Sequence, residues 1–299
     1  MKKNFTLFVL MFVFLFTQTA EGKITKLVPG NNVFSTFVSA ANGDTIELSQ
    51  EGEYPWTTTQ NLSVTTPKSI TLRAADGLTT RPVIKIKSSV GAIAFMLFYN
   101  AGTASGTLRF EGIEFDGNRL LGSLVAVKCS AGYNLNIFMD NCYVHDLYHS
   151  SLTVIPFTYS NTLPTGNPNP DSLVIRNSIF NVTGAGVIYS TGVGRPKNVV
   201  VDNSWFKGSY SYGVFSNFIG ASNTVKSYVF NHCTFDGNNT LDLNLNNIDG
   251  DPTSTTVLSN CVFTGNTGTA TNNLGTGGNY KDHCGVYFTG TPNTVYRDN

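Results

Sequence analysis

Tyr228-Val229-Phe230-Asn231-His232-Cys233-Thr234-Phe235-Asp236-Gly237-Asn238 reads as a short apolar strand, a sharp corner, a second short strand and a polar turn. The second half of that unit returns along the chain as Asn141-Cys142-Tyr143-Val144, Asn177-Ser178-Ile179-Phe180, Asn203-Ser204-Trp205-Phe206 and Asn260-Cys261-Val262-Phe263. An earlier copy is Gly112-Ile113-Glu114-Phe115. The anchors Phe115, Val144, Phe180, Phe206, Phe235 and Phe263 are 29, 36, 26, 29 and 28 residues apart, a repeat with one insertion.

An apolar strand precedes each copy, as at Val199 to Val201, and a third short strand follows most of them: Leu124 to Val127, Val187 to Tyr189, Leu241 to Leu245. A repeat of this length built from short strands cannot bury an apolar face alone, so successive copies must stack. The expected fold is all-β: a single-stranded right-handed parallel β-helix with a short N-terminal capping helix. Stacking brings equivalent residues to about 4.8 Å. Phe should then lie on Phe inside, Cys or Ser should fill a narrow inward position, and Asn at the corner can bond to the Asn of the next rung. Asn also tolerates the left-handed backbone that a sharp corner needs.

The ends of the chain fit the same reading. Met1-Lys2-Lys3, the apolar run Phe5 to Phe16 and small polar residues through Gly22 have the layout of a signal peptide, so 1–22 is expected to be a cleaved leader and 23–299 one β-helix domain of a secreted protein. The apolar run is shorter than the roughly 20 residues that cross a bilayer, so no membrane span is expected. Residues 32–42 place Val33, Phe37 and Ala41 at helical spacing before Gly43, an amphipathic lid for the open end of the coil. Gly43-Asp44-Thr45-Ile46-Glu47-Leu48 and Lys68-Ser69-Ile70-Thr71-Leu72-Arg73 then read as the first strands. With 19 basic against 19 acidic residues, nothing electrostatic draws the chain to nucleic acid. Five Cys are an odd number for an exported chain, and Cys233 and Cys261, which occupy the position of Ser178 and Ser204, read as small buried thiols.

The helix running into Gly43-Asp44-Thr45-Ile46, followed by Ile70-Thr71-Leu72-Arg73-Ala74, resembles the opening of chondroitinase-B-like and alginate-lyase-like β-helices. The later rungs, Tyr228 to Phe235 above all, are similar to the strand, turn Asn/His and inward Cys pattern of pectate lyases. The resemblance covers nearly the whole mature chain, and it implies a protein acting on acidic polysaccharide, with ligands along the third strand and its flanking loops. It implies a lyase that cleaves uronate-containing glycan by β-elimination; the alternative is a non-catalytic carbohydrate-binding or cell-surface protein on the same scaffold. The motifs depart from the family. Of the pectate lyase segment Arg-x-Pro-x-x-Arg only Arg195-Pro196-Lys197 stands here, and Asn247-Ile248-Asp249-Gly250-Asp251 only approaches the first of the polygalacturonase motifs, Asn-Thr-Asp, with the others absent.

Alternation along the third strand makes Leu241, Leu243 and Leu245 inward and Asp242, Asn244 and Asn246 outward. Counting from the Phe anchors, the same face is expected to carry Phe215 and Asn217, then Val187 and Tyr189, then Thr153, then Lys128. Amides, a carboxylate and aromatic rings suit a sugar chain, whose hydroxyls take paired hydrogen bonds and whose ring faces stack; a solvated sheet face is the competing reading. β-Elimination needs a base and a positive group, for which Lys128, Arg195, Lys197, Lys207 and Lys226 are the candidates. Asp236, Asp242, Asp249 and Asp251 with neighbouring Asn carbonyls are candidate ligands for Ca²⁺, which takes oxygen donors. His145 and His149 are read as surface residues and His232 as a structural member of the Asn ladder.

Overall fold

The computed structural model describes residues 22–57, 62–64, 68–88, 94–100, 106–120, 123–129, 135–147, 157–160, 172–181, 187–191, 198–207, 215–217, 227–236, 243–245, 255–264, 286–288 and 293–297. The leader assigned to 1–22 lies, but for Gly22, outside them. The strands form three sheets in which each strand hydrogen-bonds to its equivalents one rung before and one rung after: ten strands in sheet 1, eight in sheet 2 and eight in sheet 3. Pairing is parallel throughout a typical rung, as where Asn198–Asp202 pairs with Ser227–Asn231, Trp205–Lys207 with Thr234–Asp236, and Phe215–Asn217 with Leu243–Leu245. The chain is a parallel β-helix, as its repeat requires. No helix among the described residues is long and apolar enough to cross a membrane.

The interior follows from alternation. In sheet 1, Leu108, Ile137, Leu173, Val199 and Tyr228 form one buried row and Phe110, Met139, Ile175, Val201, Phe230 and Leu258 the next. In sheet 2 an inward row runs Tyr54, Ile84, Phe115, Val144, Phe180, Phe206, Phe235, Phe263, joined at the N-terminal end by the buried pair Trp56 and Ile86. The Phe180 and Phe206 rings stack at 5.3 Å, Phe206 and Phe235 at 5.3 Å, and Phe235 and Phe263 at 4.9 Å. The rung spacing of a parallel sheet sets these separations, so one Phe per rung is close to the natural pitch of a ring stack.

The corner between sheets 1 and 2 is one residue in the left-handed region: Asn141 (φ 52°), Asn177 (49°), Asn203 (45°), His232 (52°) and Asn260 (54°). The expected ladder forms with more partners than Asn alone. Asn203 Nδ2 donates to Asn177 Oδ1 at 2.8 Å, whereas Asn177 Nδ2 reaches Asp140 Oδ1 at 2.7 Å and Asn260 Nδ2 reaches Asn231 Oδ1 at 3.2 Å. Behind the corner, Cys142, Ser178, Ser204, Cys233 and Cys261 are buried in one line. Each donates to the carbonyl two residues earlier, Ser178 to Arg176 O at 2.6 Å and Cys233 to Asn231 O at 3.3 Å. Ser178 Oγ also accepts from Cys142 N, and Ser204 Oγ from Ser178 N. Burial pushes the Cys142 thiol up to about 12, out of reach of thiolate chemistry.

The N-terminal end differs from expectation in two places. The helix spans Val33–Ser39 rather than 32–42, capped by Asn32, whose side chain accepts from Phe34 N. It stops before Ala41 because the Asp44 carboxylate takes Ala41 N (2.8 Å) and Lys23 N (2.9 Å), closing a turn that brings the chain back to the sheet. Val33 and Phe37 are fully buried, and Phe34 and Phe37 pack on Trp56 at 5.5 and 6.4 Å, so the lid role holds. The first strand is Ile24–Leu27, ahead of the helix, paired with Thr45–Leu48.

Candidate functional site

Of the residues that the sequence singles out, Lys128, Tyr189, Phe215, Asn217 and Asn244 lie on sheet 3, and its register decides which of them belong together. One row is apolar on every rung: Met96, Val125, Phe157, Ile188, Phe215, Leu243, Val286. The adjacent row is Leu97, Ala126, Thr158, Tyr189, Ser216, Asn244, Tyr287, so from Thr158 onward five successive rungs carry a hydroxyl or an amide. Successive residues of a strand belong to opposite faces, which puts these two rows on opposite faces of the sheet. Two residues further along the polar row's face, Tyr99, Lys128, Ser160 and Thr191 are in register.

Tyr189, Asn244 and Lys128 therefore share one face. Phe215 and Asn217 do not: Phe215 lines up with Ile188 and Leu243, and Asn217 with Ser190. The reason is a turn length. The step from Lys207 to Phe215 is one residue longer than the step from Asn181 to Ile188 or from Asp236 to Leu243, so counting from the Phe anchor slips by one and exchanges the faces. Val187, expected on the outer face, is fully buried and belongs to the core. Asp242, Asn246, Arg195, Lys197, Lys226, Asp249, Asp251, Thr153 and His149 lie outside the described residues.

Lys207 and Asp236 fall on sheet 2, not sheet 3, and face each other across one rung of its ladder. Lys207 Nζ lies 5.5 Å from the centroid of the half-exposed Trp205 ring. Of the four candidate calcium ligands only Asp236 is described, and its ladder neighbours are Lys207 and Thr264. A lysine on the adjoining rung is a poor companion for a cation site, and the described residues supply no oxygen cage there.

A charged cluster that the sequence did not disclose sits on sheet 2 near the N-terminal end. Asp116, His145 and Asp146 offer ligand atoms within 4.8 Å of one another. Each already has an internal partner. Lys85 Nζ is 2.7 Å from Asp116 Oδ2, and Asn118 N donates to Asp116 Oδ1. His145 bridges Asp146 Oδ2 (2.9 Å) and Glu114 Oε1 (3.1 Å), Tyr143 stacks on its ring at 4.5 Å, and Arg119 closes on Asp146 at 3.3 Å. The hydrogen bond from His145 holds the Asp146 carboxyl below its ordinary value, and Asp116 holds the Lys85 ammonium above its own. His145 is thus a partly buried member of an ion network rather than a surface residue, with neither ring nitrogen open to serve as a base.

No family model and no curated protein matches the chain. Among solved structures it is similar to the PL6 family alginate lyase AlyGC, with a TM-score of 0.46 and 19% identity over 92% of this chain and 40% of that one. It is similar to a single-residue mutant of the same enzyme, with a TM-score of 0.46 and 17% identity over the same shares. The chain therefore spans about 40% of the length of these structures. By its own three-sheet topology, the chain is a parallel β-helix.

Proposed function

We propose that the chain is a secreted, polysaccharide-active β-helix protein that holds an acidic, uronate-containing glycan along sheet 3, with the glycan axis parallel to the coil axis. The observation that carries this reading is the in-register row Thr158, Tyr189, Ser216, Asn244, Tyr287 opposite a wholly apolar row. An apolar row suits the interior of a coil and a polar row its outer face, and alternation assigns the two rows to opposite faces of the sheet. A row of hydroxyls, an amide and aromatic rings repeating every ~4.8 Å suits the hydroxyls and ring faces of an extended sugar chain. Lys128, on the same face one rung before Ser160, is the group proposed for the uronate carboxylate; Arg195, Lys197 and Lys226 remain the further candidate cations.

Cleavage by β-elimination would remove the proton beside the uronate carboxylate and expel the glycosidic oxygen, leaving a carbon–carbon double bond in the new non-reducing sugar. A second reading, binding without cleavage, draws support from the ion network on sheet 2: there the carboxylates, His145 and cations are matched to one another, and none is open as a base. Incubation with pectin, alginate, chondroitin and ulvan, with and without Ca²⁺, separates the two. Growth of the ultraviolet band of an unsaturated uronate on one polymer supports the lyase. Saturable binding without that band supports the binding protein, and neither on any polymer refutes the proposal.

A further inference from the structure

We infer that the cavity on the turn edge between sheets 1 and 2, around Gly112, is a second carbohydrate site that takes a neutral sugar unit. Its origin lies in a gap in the ladder. Rungs at 141, 177, 203, 232 and 260 turn through a residue whose side chain fills the edge, whereas the same left-handed corner at Gly112 (φ 69°) has no side chain to offer. One rung earlier the chain passes from Ile70–Ala74 to Val83–Ser88 through a longer arch, 75–82. The arch is pinned through its last residues, in two directions. Glu51 Oε1 accepts from Thr79 N (2.7 Å), Thr79 Oγ1 and Thr80 N (3.0 Å) on one side. On the other, Arg81 reaches past the Gly112 rung to Asn141, with Nε donating to its carbonyl at 2.8 Å and Nη2 to Oδ1 at 2.7 Å.

The arch and the ledge below it border an open cavity of about 850 Å³, lined by Arg73, Arg81, Glu111, Gly112, Glu114 and Asp140 among others. That volume falls within the range of about 300–1,000 Å³ usual for small-molecule sites. The lining decides the ligand class. Four carboxylates, Asp76, Glu111, Glu114 and Asp140, face two guanidinium groups, so an anionic sugar is disfavoured. Each of three carboxylates has a neighbour within the protein: Arg109 at 3.6 Å for Glu111, His145 at 3.1 Å for Glu114 and Asn177 at 2.7 Å for Asp140. An ionised carboxylate has about four acceptor positions, so each retains capacity for a hydroxyl donor. A single metal ion is not the occupant these groups suit: among the described residues only Asp116, His145 and Asp146 converge closely enough to share one. Hydroxyls, which both donate and accept, match carboxylate acceptors and guanidinium donors on one ring.

The test is calorimetric titration of the full chain with cellobiose, maltose, mannobiose and, as the anionic control, digalacturonate. At least one neutral disaccharide is expected to bind saturably, and any binding of digalacturonate, which sheet 3 is proposed to take, should be left unchanged by substitution at Gly112. Gly112→Asn restores the ladder side chain in the left-handed region that Asn occupies on four other rungs, and its Cβ would meet Ala74 Cβ at 3.2 Å and Asn141 Nδ2 at 3.9 Å. It should weaken that binding about tenfold or more, a loss of about 1.4 kcal/mol. Glu111→Gln, which alters no backbone, should weaken it in the same direction, while Tyr189→Ala on sheet 3 leaves it unchanged. Binding of no neutral disaccharide, or unchanged affinity for it in both Gly112→Asn and Glu111→Gln, would overturn the inference, and neither of these outcomes bears on the sheet 3 proposal.

Discussion

Two stretches of the same edge, where sheet 1 turns into sheet 2, behave differently. From Asn141 to Asn260 every rung turns through one left-handed residue, and the side chains there are spent on one another: Asn203 on Asn177, Asn231 on Asp202, Ser204 on Ser178. From Ala75 to Gly112 the edge is irregular, and a polar cavity opens beneath the arch. Regular repetition satisfies its own polar groups and leaves little for a ligand, whereas an interruption leaves donors and acceptors facing open space.

The regular half should therefore respond to mutation as a stability element, in a graded order. Phe206→Ala empties the middle of a ring stack whose neighbours sit at 5.3 Å on both sides, and should cost ~3–5 kcal/mol in denaturant unfolding. Ser204→Ala strands the buried Ser178 N–H and removes the donor to Asp202 O, a loss of ~1–3 kcal/mol; Ser204→Cys, the residue that fills this position on other rungs, should lose less. Asn203→Ala forces an alanine into φ 45° and deletes a ladder bond, for ~1–2 kcal/mol, and Asn203→Gly should recover the strain but not the bond. A Phe206→Ala protein as stable as the parent would break the comparison at its root.

The irregular half should reveal itself by pH instead. Hydrogen bonds from Thr79 and Thr80 hold the Glu51 carboxyl at about 2, against an ordinary 4.5. A carboxyl depressed by folding contributes its full stability above the unfolded value and loses it as pH falls through the folded one. The difference in unfolding midpoint between the parent and Glu51→Gln should therefore be constant at neutral pH, shrink below about pH 4.5 and vanish near pH 2. A difference independent of pH would show that Glu51 does not pin the arch as an anion.

The interior was legible because it is written in one residue type at a nearly constant period: Phe180, Phe206, Phe235 and Phe263 announce their own column. The corner was legible for the same reason, since Asn, Cys and Ser recur at fixed offsets from each Phe. The outer face of sheet 3 was less so. A single extra residue between Lys207 and Phe215 exchanges the two faces of a strand, and no local pattern marks it, so Tyr189, Asn244 and Lys128 fell into place while Phe215 and Asn217 did not. The ion network of Lys85, Glu114, Asp116, His145 and Asp146 joins three rungs through side chains of unlike type and shows no period at all. Gly112 could have been found: it is the one copy of the repeat that lacks the corner Asn or His, and that substitution is the signal of the cavity.

The most direct test of the account is a comparison of the two outer faces in binding to whichever acidic polymer the parent protein retains. Tyr189→Ala with Asn244→Ala on sheet 3 should weaken binding about tenfold or more, while Trp205→Ala, a half-exposed aromatic on sheet 2, should leave it within about twofold. The opposite ranking, with sheet 3 silent and Trp205→Ala destructive, would place the glycan on the wrong side of the coil and contradict the central claim.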